Sequence, residues 1–509
     1  MSHHPEFSFR TLIALAYGGL SLLLVGLAAY VARDLSYNGD FWEHAAAIRA
    51  LASDLMDPPH PILNIEAAHH LFTPFHVITA VLAQASGLTA TRALAFWGPV
   101  NAALFCLSIV LFCRHFIGRE RAGAVSLLVL CLTLFGWGGH VWFFSGFLSI
   151  RAFAFIAPYP SATCFALMLL ALPLLDRWMA SGRLPQLAGF LVAYSFVGLT
   201  HQITFVAMSV TAAAICGPKL LACPGRGFLA AMVAVLALLS ILWWPYFSVI
   251  ELSGNHGEFA HNNSVMFEHP AVRLFPAIIC LPALFWHRRI GISPFILLSL
   301  SGLSLCYLAG YAGWQPILGR LISFIAFFGH LITATTTVYF CQKIHARFGS
   351  FGVVKRMALV PAALAGFVIL LPMFNYDELV RWTRTVESQR QTVLTARLVA
   401  ENLGPDEVVI APTSISFELP AFAGRLIASR AAIAFVPDHE ARRNTLDALC
   451  SPQMGHEDVL DLIEEHRASK LLVPDSCTLP EFWFTSGNLR ISETGAFGRL
   501  SLYDISITN

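Results

Sequence analysis

The chain of 509 residues carries little charge. Asp, Glu, Lys and Arg make up 12% of it and hydrophobic residues 56%, whereas a typical soluble domain has roughly twice that share of charge. This composition excludes a soluble globular protein and indicates a polytopic membrane protein. The net charge of +1 gives no sign of a nucleic-acid-binding surface, so no nucleic-acid partner is predicted.

Other patterns are absent too. The sequence shows no clear internal repeats and no clear charges in the middle of its apolar runs. Transporters and flippases usually have both, so this class is less favoured but stays open as an alternative. A non-catalytic subunit of an envelope glycan assembly complex is a second alternative. No H-E-x-x-H pattern occurs, so no cofactor is predicted; a divalent metal is left as an alternative that the sequence does not indicate.

Apolar runs of roughly 17 to 25 residues, the length of a membrane-crossing helix, recur from Thr11 to Met373. They predict an α-helical membrane bundle of about eleven spans over residues 1–374, with a structured first outer loop at 33–91. The predicted spans are Thr11 to Ala32, Arg92 to Cys113, Ala122 to Trp137, Pro158 to Leu175, Leu187 to Gly198, Gln202 to Cys216, Phe228 to Ser248, Ala271 to Trp286, Ser293 to Ala312, Leu321 to Cys341 and Met357 to Met373. Pro74 to Leu88 is short for a span and is interpreted as a helix at the membrane interface.

After residue 374 the apolar runs shorten and charges return, which predicts an α/β domain at 375–509. Its predicted elements are helices at Asp377 to Leu403 and His456 to Ala468, and strands at Val408 to Ala411, Lys470 to Val473, Leu489 to Glu493 and Leu500 to Ile505. No Gly-rich phosphate loop occurs there, so we expect acceptor binding or packing over the bundle rather than a second active site. A disulfide between Cys450 and Cys477 is open, because spacing alone does not establish it.

The basic residues between the spans indicate the orientation. With a cytoplasmic N-terminus nearly all of them fall in inner loops, as the positive-inside rule requires. These loops contain residues 114–121, 177–183, 219–226, 288–289 and 343–356. An odd number of spans then places the α/β domain opposite the cytoplasm, on the side of the first outer loop.

The segment from Tyr37 to His44 follows the first span and contains two carboxylates and a histidine. The residues after it predict a helix with one apolar stripe that lies along the membrane surface. The stripe consists of Phe41, Ala45, Ile48, Leu51 and Leu55. Asp40 stands at the N-cap position and Glu43 completes a capping box, but ionisable groups at a membrane face also suggest chemistry. Both roles are open.

Further candidates lie along the chain. His44, His76 and His201 are candidates for substrate binding; His201 falls between two short spans, where polar groups often face a cavity. For the histidines before the second surface helix, hydrogen bonds to backbone or lipid are favoured over a metal site. Arg151 is an isolated cation in an apolar outer loop, and it either snorkels or binds a lipid phosphate. Arg320 begins a span at the outer interface, where an anionic headgroup is a natural partner.

This arrangement resembles the C-type integral membrane glycosyltransferases, the GT-C superfamily. The resemblance rests on Gly39-Asp40-Phe41-Trp42-Glu43-His44 after the first span, the surface helices that follow, Gly319-Arg320 at the outer face and the trailing α/β domain. Residues 407–412 and 417–424 also look like segments in C-terminal domains of bacterial members. The family often has two adjacent acidic residues in its first loop, whereas this chain has Asp40 with Glu43.

The resemblance implies transfer of a sugar from a polyprenyl-phosphate-linked donor to a glycan, lipid or protein acceptor outside the cytoplasm, with inversion at the anomeric carbon. Asp40 would be the general base, with Glu43 as the second catalytic candidate. Arg320 and Arg151 would bind the donor phosphate, and membrane lipid would surround the bundle. It further implies a bacterial inner membrane, with a periplasmic or extracellular C-terminal domain.

Overall fold

A computed structural model describes residues 9–137, 148–220, 224–254, 263–279, 281–348, 376–429, 435–436, 438–449 and 454–508. The helices are α1 Phe9–Asp34, α2 Phe41–Ser53, α3 Pro74–Ser86, α4 Ala90–Phe116, α5 Arg119–Phe135, α6 Ile150–Ile156, α7 Pro160–Ser181, α8 Leu184–Thr200, α9 Gln202–Leu220, α10 Pro224–Leu242, α11 Val249–Gly254, α12 Pro270–Arg273, α13 Phe275–Ile278, α14 His287–Ile290, α15 Pro294–Tyr311, α16 Ile322–Phe348, α17 Tyr376–Ala400, α18 His439–Ala448, α19 His456–His466 and α20 Phe482–Thr485. The strands are β1 Val408–Ile410, β2 Arg425–Leu426, β3 Lys470–Pro474, β4 Leu489–Phe497 and β5 Leu500–Ile507.

Seven helices among the described residues are long and apolar enough to cross a membrane. They are α1, α4, α7, α9, α10, α15 and the segment Pro316–Ile344, which contains most of α16. α8 is apolar but shorter, and α5 has only 17 residues. The predicted span at Met357 to Met373 lies outside the described residues. Within the described residues the number of such helices is therefore smaller than the eleven predicted.

The span predicted at 271–286 is wrong. The chain there forms the short helices α12 and α13 and a 3₁₀ helix, Leu281–Trp286. Proline recurs every six residues, at Pro270, Pro276 and Pro282. Each proline lacks a backbone N–H and clashes with the preceding turn, and three of them within thirteen residues divide this segment into short helices.

The chain divides into two compact units, each described by itself. We call Met1–Tyr30, Trp97–Trp243 and His256–Thr383 the helical unit. Val31–Phe96, Trp244–Asn255 and Arg384–Asn509 form the sheet unit. The predicted boundary at residue 374 falls outside the described residues and stays a prediction.

In the helical unit, the C-terminal ends of α4, α7 and α9 meet at Asp176. His115 Nε2 lies 2.9 Å from Asp176 Oδ2, and Lys219 Nζ donates to Asp176 Oδ1 at 2.5 Å. Because α7 and α9 end together, α8 runs back between them in the opposite direction. This geometry agrees with an inner loop at 177–183 and another at 219–226.

The sheet has the strand order β2-β1-β3-β5-β4. β1 pairs in parallel with β2 and β3, and β5 pairs in antiparallel with β3 and β4. Val408 and Ile410 point to one face, which α18 and α19 cover. Val409 points to the other, which α17 covers together with Ala46, Ile62 and Leu63 of the first loop. The predicted strands and helices of this domain are confirmed, whereas α18, α20 and β2 were not predicted.

The first outer loop forms part of this sheet. The Leu426 N–H donates to Ile62 O at 2.7 Å, and the Asn64 N–H donates to Leu426 O at 3.0 Å, so Leu63 bridges β2 in parallel. Asn64 Nδ2 also donates to His466 O at 2.9 Å. The first loop and the α/β domain therefore lie on the same side of a membrane. Cys477 is disulfide-bonded, as suits an oxidising compartment, whereas Cys450 lies outside the described residues.

We expect the C-terminus to lie outside the cytoplasm. A reporter that is active only in the cytoplasm should be silent when fused after Asn509, because the sheet unit holds that end on the side of the first loop. The same reporter fused after Gly182, between α7 and α8, should be active. Activity at Asn509 would contradict the topology.

Candidate functional site

Asp40 immediately precedes α2 and is exposed. Its backbone is helical, with φ −56° and ψ −18°, and its side chain makes no capping hydrogen bond. The predicted capping box with Glu43 is therefore wrong. A capping side chain reaches the next N–H groups from an extended backbone, and the helical backbone of Asp40 does not provide that geometry. The carboxylate stands at the open start of the helix without a capping role.

The start of α2 is fixed by aromatic contacts. Gly39 turns the chain with φ +57°, a conformation that favours glycine. The ring of Tyr37 stacks on Phe41 with 4.0 Å between centroids, and Trp42 Nε1 donates to Tyr37 O at 3.2 Å. These contacts hold the turn that carries Asp40.

The rest of α2 is covered by protein. Phe41, Ala45, Ile48 and Leu51 are fully buried, and α2 packs against α3 and the 3₁₀ turn Leu419–Ala421. The expectation that this stripe lies along the membrane surface is thus wrong. The helix is apolar on most of its circumference, as is typical of a buried helix.

Glu43 lies one turn after Asp40 and is half-buried. Burial raises its pKa well above the ordinary value, and the charge of Asp40 raises it further. A carboxyl group whose pKa is raised by burial therefore lies one helical turn from an exposed one. Two carboxyl groups with such different environments can take different roles in acid–base chemistry.

His44 on α2 and His76 on α3 are brought together, although 32 positions separate them. His44 Nδ1 lies 2.8 Å from His76 Nε2, and His76 Nδ1 lies 2.8 Å from Thr73 Oγ1. Burial lowers the pKa of His44 to about 3 and that of His76 well below its ordinary value. Both rings are thus neutral at pH 7, and His76 uses both of its nitrogens in hydrogen bonds.

His70 connects this pair with Asp40. Burial and the neighbouring His44 lower the pKa of His70 to about 4, and the Asp40 carboxylate partly offsets that shift. The three side chains are therefore close enough to influence one another's charge. Asp40 borders a group of neutral imidazoles.

His60 and His69 complete this group, and their hydrogen bonds do not suit a metal. His60 Nδ1 accepts from the Leu63 N–H at 2.9 Å, and His69 Nδ1 accepts from the Leu71 N–H at 3.3 Å. A nitrogen that accepts has no proton, so Nε2 carries it and cannot ligate a metal in that state. No group of three His, Cys, Asp or Glu residues in the described ranges could hold a metal ion. Sequence reasoning missed His60, which stands just before Pro61 in a loop without periodicity.

A third segment of the chain docks on the first loop. Trp244 Nε1 donates to Phe72 O at 2.7 Å, and Tyr246 Oη donates to Leu55 O at 2.7 Å. These contacts hold the loop that carries His69 and His70. The aromatic run at 243–247 could have indicated this role, since such residues usually anchor at an interface.

Arg320 lies in the helical unit, in the 3₁₀ helix Pro316–Leu321. Its Nε donates to Asn263 Oδ1 at 2.7 Å, and Asn263 is buried. A Cβ on Gly319 would stand 2.8 Å from Met266 Cβ, so glycine allows segment 263–267 to pack closely beside Arg320. The predicted phosphate-binding role of Arg320 stays a prediction.

The remaining two candidates also belong to the helical unit. Arg151 lies in α6, but its side chain is outside the described part of the structure. His201 separates α8 from α9, and its Nδ1 lies 2.8 Å from Thr204 Oγ1 and accepts from the Thr204 N–H at 3.3 Å. His201 therefore stabilises the start of α9, and its predicted role in substrate binding is untested.

No protein-family model and no curated protein matches the chain. Solved structures do match. An oligosaccharyltransferase of Archaeoglobus fulgidus in the apo form aligns over 94% of this chain and 70% of its own, with a TM-score of 0.52 and 13% identity. The same enzyme, tethered through a disulfide to an acceptor peptide with the NVT sequon, aligns over 90% of this chain and 69% of its own. The TM-score is 0.50 and the identity 12%.

At these identities the likeness concerns the fold. The chain shares the fold of this oligosaccharyltransferase, as expected from the resemblance to the GT-C superfamily. The resemblance predicted from residues 39–44, Gly319-Arg320 and the trailing domain is thus confirmed at that level. Together with the apolar helices, the GT-C fold makes this a multi-pass membrane protein.

We expect the sheet unit to lose stability in acid. Above pH 6.5, the ordinary pKa of histidine, His60 is neutral whether the chain is folded or unfolded. Below it the unfolded chain binds a proton that folded His60, with a pKa of about 3, does not. The free energy of unfolding therefore falls as the pH drops through this window, by about 2 kcal/mol at pH 5 for this group.

The variant His60→Asn tests this, because the amide oxygen of Asn can accept the same backbone N–H groups but does not titrate. Thermal unfolding in detergent should give similar midpoints for variant and wild type at pH 7.5. At pH 5 the wild type should have lost more stability than the variant. Equal losses would show that His60 is not a source of the acid sensitivity.

Proposed function

We propose that this protein transfers a sugar from a polyprenyl-phosphate donor to an acceptor on the outer side of a bacterial inner membrane, with inversion. The acceptor class is a glycan, a lipid or a protein. Residues 375–509 are then periplasmic or extracellular. No cofactor is part of the proposal.

The proposal rests on the position of Asp40. In a chain with the GT-C fold, the Asp40 carboxylate is exposed at the start of a rigid buried helix and has no capping role. A polar group held rigidly, yet left unused by the fold, is typical of a functional site. The charge of Asp40 raises the pKa of Glu43, and it partly offsets the lowering of the pKa of His70.

Asp40 is the general base in this proposal. It takes the proton of the acceptor hydroxyl or amide while the acceptor atom attacks the anomeric carbon from the face opposite the donor phosphate. The bond from the anomeric carbon to the phosphate oxygen breaks, and its electron pair leaves with polyprenyl phosphate. Glu43, whose pKa is raised by burial and by Asp40, is the second candidate.

Arg320 is the proposed partner of the donor phosphate. Its Nε donates to Asn263 Oδ1 at 2.7 Å, which orients the guanidinium plane, and a planar guanidinium fork matches the geometry of phosphate oxygens. Arg151 is the second candidate. Stabilising the charge that develops on the leaving phosphate is a large contribution to such a reaction.

Asp40→Asn should abolish transfer and leave folding unchanged. Asn has nearly the same shape but does not take up a proton at neutral pH, and Asp40 makes no capping bond that the variant could lose. Asp54→Asn, at the other end of α2, is the matched control and should keep full activity. Transfer is measured with labelled polyprenyl-phosphate monosaccharides. Substantial activity in Asp40→Asn would make Glu43 the next base to test.

Arg320→Ala should weaken donor use severely and Arg320→Lys partially, since Lys keeps the charge but loses the planar fork. A charged contact of about 1.5 to 3 kcal/mol corresponds to a loss of roughly ten- to two-hundred-fold. Donor binding and single-turnover transfer are measured for both variants.

Asn263→Ala separates the two roles that Arg320 can have. It removes the observed partner of Arg320 but keeps the guanidinium, so donor affinity should fall much less than in Arg320→Ala. If both variants lose the same affinity, Arg320 acts by holding segment 263–267. Unchanged donor affinity in Arg320→Ala would move the phosphate role to Arg151.

A further inference from the structure

Arg49 joins α2 to the α/β domain through backbone acceptors. Its Nη2 donates to Gly424 O at 2.7 Å and its Nη1 to Pro405 O at 3.4 Å. Burial and the nearby charge of Arg425 lower the pKa of Arg49 to about 10, so the guanidinium is still charged at neutral pH. A charged donor on a carbonyl forms a stronger hydrogen bond than a neutral one.

The acceptor side of this contact is itself constrained. Gly424 has φ +69°, and a Cβ there would stand 3.2 Å from Glu407 O. The next residue, Arg425, donates its N–H to Glu407 O at 2.9 Å. The carbonyl that receives Arg49 is therefore fixed directly to the edge of the sheet.

Two further contacts attach α2 to the same domain. The ring of Trp42 lies 5.5 Å from that of Phe422, and Ala46 belongs to the apolar core formed by Val399 and Val409. Trp42, Ala46 and Arg49 are three or four residues apart and so lie on one face of α2. A helix attached to the sheet along this face moves with the sheet as one body.

We propose that Arg49 is a positioning residue that orients Asp40 by locking α2 to the α/β domain. The inference rests on the proposed function of Asp40. The two residues are nine positions apart, so they lie on the order of 13 Å apart along the helix axis, and Arg49 does not act on the reacting atoms directly. The α/β domain is in this view a structural part of the catalytic site.

The test compares Arg49→Ala, Arg49→Lys and Gly424→Ala in the full-length protein. Arg397→Ala is the control, because Arg397 is an exposed arginine of the same unit whose ion pair with Glu401 is also exposed. Turnover and KM are measured with a panel of polyprenyl-phosphate monosaccharides. Hydrogen–deuterium exchange of the backbone amides at residues 38–53 measures how firmly α2 is fixed, and it needs no substrate.

Arg49→Ala and Gly424→Ala should raise exchange at 38–53 and lower kcat roughly ten- to hundred-fold with little change in KM, because misplacing a catalytic group mainly affects turnover. Arg49→Lys keeps a charged donor, so its exchange at 38–53 and its kcat should lie between those of Arg49→Ala and the wild type. Arg397→Ala should match the wild type.

Several results would overturn the proposal. Unchanged exchange at 38–53 in Arg49→Ala would show that Arg49 does not hold α2. Increased exchange with unchanged kcat would show that the hold does not position Asp40. A loss confined to KM would instead indicate contact with substrate. If the wild type transfers no sugar, the proposed function fails, and the exchange measurement alone then decides whether Arg49 holds α2.

Discussion

The burial of Ile62 and Leu63 against β2 is the contact on which the rest of the sheet unit depends. Leu63 forms an isolated parallel bridge to Leu426 at the edge of the sheet, and first-loop side chains lie in the same core as Val409. An edge strand left open would expose unpaired backbone groups and apolar surface. Because the first loop covers this edge, a segment near the start of the chain and one near its end fold as a single body.

This shared core explains why Asp40 can be both exposed and rigid. Most of α2 is buried in protein, whereas Asp40 at its start and Ser53 at its end are exposed. Burial lowers the pKa of His44 and of His70, on whose pKa Asp40 also acts, and burial raises the pKa of Glu43. A single exposed carboxylate beside neutral hydrogen-bonding groups is an arrangement suited to proton transfer.

Several elements could be read from local patterns. The hairpin of β4 and β5 follows from alternating residues, and long apolar runs indicate α4, α7 and α15. Local patterns misled at three points, one of which is the apolar stripe of α2, which is buried in protein. Asp40 and Glu43 have the spacing of a capping box, but the packing of Tyr37 and Trp42 turns the backbone of Asp40 helical. The apolar run at 271–286 has the composition of a span, but its prolines break it into short helices.

The sequence by itself determined the class of the protein, the positions of its apolar helices and the resemblance to the GT-C fold, because these depend on composition and on periodicity within one segment. It also placed Asp40 and Glu43 in one helical turn. Only the tertiary structure brought His44 to His76, Arg49 to Gly424 and Ile62 to β2. Each of these pairs joins distant segments, and no local pattern encodes which distant backbone group will receive a side chain once the core has closed.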